Sequence, residues 1–220
     1  VDWPSAFTVL AHELRSPAQV ISGYTRMLSE GRLEDGQRQR VFNQLESAAG
    51  RISLISRQAS ELAYWQSRPP RVAHGVPLAD LVTSASAGST SPDRISARLS
   101  PAAGVMRVRA LDDAALSTAL ATILEMASRD VTDDTILVVS RASGSEDTCD
   151  VLIGAGKVLS PAELTPEADG TFSIERGGFG LAMVLAVAVL EAHGATLWNV
   201  RGRTGIVGIT LRIEPSQTEP

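Results

Sequence analysis

Residues 7–28 read FTVLAHELRSPAQVISGYTRML, and the histidine among them stands where packing alone does not ask for one. Leu10, Leu14, Pro17, Ile21, Tyr24 and Leu28 recur at alternating steps of four and three, the apolar seam of a helix that packs on other helices. His12 is two residues from both Leu10 and Leu14. At about 100° per residue it is turned roughly 200° from each, so it faces water. An imidazole held out on a rigid helix, beside Glu13 and within one turn of Arg15 and Ser16, can serve as nucleophile or proton carrier. The plain alternative for a lone histidine is a solvated surface side chain.

The remaining chemistry-bearing residues invite less. His193 closes an apolar run just before Gly194, where a cation would complement a helix dipole. His74 reads as solvated in a connecting segment. Cys149 is the only cysteine, which excludes a disulfide within the chain, and it has no His or Cys partner at metal-ligand spacing. No metal site is expected.

Holding His12 in place requires a rigid support, and the next residues supply one. Polar residues 30–37, with Gly31 and Gly36, read as a turn into a second helix over 38–66. There Leu45, Ala48, Ile52, Ile55, Ala59 and Leu62 again step by three and four. Two helices with such narrow seams do not enclose a core, so helices 5–30 and 38–66 are expected to form a homodimeric four-helix bundle. The alternative is a hairpin packed on the rest of its own chain. Arg68-Pro69-Pro70 then ends the helix, since neither proline continues its hydrogen bonding.

The remainder reads as an α/β sandwich. Residues 78–87 suggest a helix, 94–99 and 105–110 strands, and 112–127 a helix capped by Asp112 or Asp113. Strands over 135–142 and 150–153 pair across 143–148, residues 181–192 form a buried helix, and 196–200 pairs with 206–213. The expected division is a helical hairpin over 1–67, a linker over 68–76, the sandwich over 77–214 and a tail over 215–220: an α plus α/β chain.

Composition narrows the class further. Hydrophobic residues at 44% and charged residues at 20% are ordinary for a soluble globular protein, and 4% aromatics imply aliphatic cores. A formal charge of −5 with no basic stripe speaks against nucleic acid as a partner. The apolar run 181–190 is shorter than the roughly 20 residues that span a bilayer, and no signal peptide is visible. A cytoplasmic location is expected, and the opening at Val1 suggests a processed fragment or the soluble part of a longer protein.

His12-Glu13-Leu14-Arg15-Ser16-Pro17 resembles the H-box of sensor histidine kinases of two-component signalling. The resemblance implies that His12 accepts a phosphoryl group and passes it to an aspartate on the receiver domain of a response regulator. It implies that Glu13 takes the proton from the other ring nitrogen and that Arg15 supports the transferred phosphoryl. Ser16 matches a position associated with orienting water, and Pro17 would bend the helix. Gly178-Phe179-Gly180-Leu181-Ala182 and the later Glu191-Ala192-His193-Gly194 resemble the G-L-G-L-A and E-A-H-G-G segments of the same kinases' ATP-binding domain. That domain shares its fold with the Hsp90 and gyrase ATPases.

Against that resemblance the nucleotide motifs are depleted. Thr122 and Met126 fall where the family's helix carries asparagines, and a thioether at Met126 is a poor ligand for magnesium. Glu125 is the neighbouring oxygen donor. Gly154 replaces the aspartate that reads adenine, while Gly156, Gly178 and Gly180 keep the glycines that let backbone approach phosphates. Those glycines serve equally well for close helix packing. Residues 164–177 are short for the family's lid, with Phe172 as its remnant. Loss of ATP and magnesium binding is therefore expected, which favours a pseudokinase or phosphotransfer protein over an active kinase. The competing reading is a dimeric scaffold that binds a regulator without phosphorylation of His12.

Overall fold

The structure is a computed structural model that describes residues 3–31, 35–67, 71–131, 135–142, 147–157, 159, 168–171, 179–200 and 206–214. Helices α1 (Trp3–Ser29) and α2 (Asp35–Gln66) form a hairpin. Pro17 lies inside α1, which continues through it as helix with the proline ring buried. Gly31 takes φ +63 just past the end of α1, the left-handed conformation that stops a helix cheaply only at glycine.

The α/β part follows the expected order with additions. The first strand β1 (His74–Pro77) pairs antiparallel with β3 (Arg107–Ala110) in a small ribbon. His74 through Val76, expected in the linker, thus belong to a strand. Helix α3 (Leu78–Ala87), strand β2 (Ile95–Arg98) and the single turn α4 (Pro101–Gly104) lie between them. Helix α5 (Asp113–Asp130) starts at Asp112, whose carboxylate accepts the Ala115 N–H at 3.0 Å. Strands β4 (Ile136–Ala142) and β5 (Thr148–Ala155), then β6 (Ala168–Thr171), helix α6 (Leu181–Ala192), β7 (Thr196–Val200) and β8 (Val207–Arg212) complete it. The larger sheet has the order β2-β4-β5-β8-β7-β6, with only the β2–β4 pair parallel among the pairings described.

Alternation along the strands divides the apolar residues between two faces. Ile136, Val138, Val151 and Ile153 join α3, α5 and α6 in the main core, while Leu137, Val139, Leu152 and Trp198 form a second cluster on the opposite face. Trp198 lies across Gly208, its partner in register, where an added Cβ would come within 2.3 Å of the indole.

The hairpin does not stand apart. Ala6, Ile55, Leu62 and Trp65 are buried in the same cluster as α5 and α6. Helix α6 is apolar on nearly every side because the sheet, α5 and α2 all cover it. Burying side chains such as Ile55 and Leu62 contributes about 1.5–3 kcal/mol each, enough to hold α2 against α6. The portion of the seam expected for a partner chain is thus partly covered in cis. Ile21, Tyr24, Leu28, Leu45 and Ile52 remain half-buried.

Polar and aromatic groups also tie the end of α2 to the start of α5. Arg71 pairs with Asp112, donates from Nε to the Tyr64 hydroxyl at 2.9 Å, and lies 5.5 Å from the centres of both the Tyr64 and Trp65 rings. The Ala115 N–H, and then Arg71, hold the Asp112 carboxyl below its ordinary range.

Candidate functional site

His12 is exposed on α1, as the helical spacing requires. Ser16 follows one turn later on the same face, so the two side chains stack along the helix. Together with Glu13, Pro17, Ala48 and Arg51 they line an open cleft of about 340 Å³ between α1 and α2. Arg15 is exposed and does not line the cleft.

Glu13 is engaged away from His12. Its carboxylate pairs with Arg51 of α2 and leaves the side chain only 19% exposed. No hydrogen bond joins it to His12 among the described residues. Adjacent helical residues diverge by about 100°, so Glu13 reaches across the hairpin more readily than back to its neighbour. Arg51 is the site residue that sequence reasoning missed. It sits three residues after Ala48 of the α2 seam, and only the pairing of the helices shows which turn of α1 it meets.

On the other side of Glu13 lies the start of α6. Gly180 has φ +55 and ψ −134, a conformation open essentially to glycine alone, and the Glu13 side chain fills the space that a Cβ there would take. The turn of α1 that carries His12 and the glycine that begins α6 are therefore neighbours. Phe179 next to it is half-buried, with the Arg129 guanidinium 3.9 Å from its ring centre.

The positions expected to hold a nucleotide offer little to one. Met126 is 1% exposed in the main core, so its sulfur faces apolar neighbours rather than a ligand. Glu125 lies on the half-exposed side of α5 and pairs with Arg129 at 3.2 Å. Thr122 gives its hydroxyl proton to the Thr118 carbonyl. Gly154 is a buried residue of β5 opposite Leu137, and the Gly156 N–H is committed to the Thr135 carbonyl at 2.8 Å. Gly178, Phe172 and residues 160–167 lie outside the described residues. By donor set, these residues do not fit a magnesium-nucleotide in the family's manner.

His193 departs from its expected role. It caps α6 at its C-terminal end but is 2% exposed. Its Nε2 accepts the Asp112 N–H at 3.2 Å, so the proton is on Nδ1, which donates to the Val189 carbonyl at 2.7 Å. Burial pushes its pKa below the ordinary histidine value against the pull of these partners. It is a neutral linchpin packed 5.2 Å from the Trp65 ring, not a cation answering a dipole. His74 remains exposed yet meets Asp113 at 2.6 Å. Cys149 is buried, and desolvation raises its thiol to about 11, which leaves it inert at neutral pH. No cluster of metal-binding side chains occurs among the described residues. None of their helices is long and apolar enough to cross a membrane.

No protein-family model matches the sequence. The sensor histidine kinase ZraS of Salmonella typhi is 22% identical over 217 residues, which cover 96% of this chain and 46% of that protein. The chain therefore spans about half the length of that curated relative. In fold it is similar to the Acinetobacter baumannii histidine kinase AdeS, with TM-score 0.58, 16% identity, and coverage of 92% of this chain and 98% of the other. It is also similar to the histidine kinase ThkA, solved in complex with the response regulator TrrA, with TM-score 0.54, 16% identity, and coverage of 92% and 59%. A helical hairpin carrying an exposed histidine, joined to an α/β sandwich through α6, gives the chain the architecture of a sensor histidine kinase transmitter core.

Proposed function

We propose that the chain is a two-component transmitter module in which His12 receives a phosphoryl group and passes it to an aspartate on the receiver domain of a response regulator. Its own ATP-dependent kinase activity is lost or strongly reduced. The observation that carries this reading is a contrast between two sites. His12 is exposed in an open cleft with Ser16 and Arg51, whereas the position expected to hold magnesium is Met126, sealed in the core. Phosphoryl transfer needs an accessible nucleophile and neutralisation of developing negative charge. The first is present at His12, and Arg51, paired with Glu13, lines the same cleft. A regulator is the natural acceptor because ThkA, of the same fold, is bound to one.

Two measurements test the parts separately. Phosphoramidate, a small donor that gives its phosphoryl to imidazole with release of ammonia, should produce a phosphohistidine signal in 31P NMR. That signal should vanish in His12→Ala, and its absence from the unaltered chain would sink the acceptor role and leave the scaffold reading. Calorimetric titration with ATP and magnesium should show no heat of binding. Clear micromolar binding would overturn the pseudokinase reading.

A further inference from the structure

Gly180 invites an explanation through phosphates, because glycine at the start of a helix lets an anion approach the backbone closely. In this chain the space is already used. A Cβ built on Gly180 would lie 2.5 Å from both Cδ and Oε1 of Glu13 and 3.1 Å from its Cγ. We infer that Gly180 is a positioning residue whose missing side chain seats Glu13 against α6, and that this contact holds the Glu13–Arg51 pair in place.

Three constraints converge on the Glu13 carboxylate. Arg51 draws it toward α2, the backbone of α1 fixes its root, and the Gly180 backbone closes the remaining side. Beyond the strain of the positive φ, a side chain at position 180 would meet the tip of Glu13. The flexible end of Glu13 would have to shift from the position in which it meets Arg51 to relieve the overlap. Packing of α2 on α6 through Ile55, Leu62 and Trp65 keeps the two elements from simply separating. The glycine is thereby explained without a nucleotide. That the contact also governs where Glu13 stands during chemistry at His12 rests on the function proposed above, but the contact itself does not.

A double-mutant cycle followed by thermal unfolding of the full chain tests the inference without any phosphorylation step. Gly180→Ala should lower the midpoint through two effects, the positive φ and the displaced carboxylate. In a Glu13→Ala background only the first survives, so the further loss caused by Gly180→Ala should be measurably smaller than in the unaltered chain. Glu13→Asp, which withdraws the carboxylate by one methylene and keeps its charge, should recover part of the same loss. If Gly180→Ala costs as much in the Glu13→Ala background as in the unaltered chain, by an equal fall in midpoint or by failure to fold in both, the glycine serves only its backbone and the inference is wrong.

Discussion

At the scale of single residues, the turn of α1 around His12 is defined by what each side chain is free to do. His12 is exposed and makes no hydrogen bond among the described residues, while Glu13 is engaged by Arg51 and Gly180. For Glu13 to assist His12 it must give up a pair that is half in water on the Arg51 side, and such a pair is worth no more than about 1 kcal/mol. His193 is the residue with a pH signature. Because burial lowers its pKa in the folded chain, the unfolded chain binds more protons at this site. Its stabilising share is complete above the unfolded value of about 6.5 and is lost as pH falls from there toward the folded value. Urea unfolding at about pH 7.5 and about pH 5.5 should show a larger loss for the unaltered chain than for His193→Gln. Equal losses would mean that His193 titrates alike in both states.

Among the elements, α5 and α6 set the packing around the position that the family resemblance assigns to magnesium. Helix α5 turns Ile123, Leu124 and Met126 into the core, and α6 fills the space between sheet and hairpin. Restoring an asparagine at Met126 therefore should not restore magnesium binding. The Met126→Asn amide would be buried among aliphatic side chains with no provided partner, at a cost of about 1–3 kcal/mol in unfolding free energy. Chemical denaturation reads that loss. A Met126→Asn protein that is fully stable and binds magnesium-ATP would show that α5 is set differently. The pattern of α5 and α6 was legible because amphipathic or wholly apolar runs of 12 to 18 residues leave a clear period. The ribbon of β1 and β3 was half hidden. His74–Pro77 is only four residues long, holds a glycine and a proline, and becomes a strand because β3 pairs with it.

For the whole molecule, the open question is what covers the outer half of the hairpin. Ile21, Tyr24, Leu28, Leu45 and Ile52 are half-buried, and Trp3 and Phe7 stack on each other at 45% and 59% exposure. A second hairpin would complete a four-helix bundle at this surface. Sedimentation equilibrium should find a two-chain species, and Ile21→Glu should convert it to single chains while His12→Ala leaves it intact. A monomeric unaltered chain at tens of micromolar would count against the bundle.

The order of the helices and strands other than β1, α4 and β6, the outward face of His12, the resemblance of residues 12–17 to a phospho-acceptor motif and the lack of the resembled donors at Met126 and Gly154 all follow from the sequence. Periodicity and side-chain chemistry are local properties, and local properties are written along the chain. The tertiary structure alone decided that Glu13 answers to Arg51 and Gly180, that His193 is neutral and ties α6 to α5, and that α2 packs on its own α6. Each joins residues 38 or more positions apart. Which distant groups meet is settled by how whole helices pack, and no spacing within one helix records it.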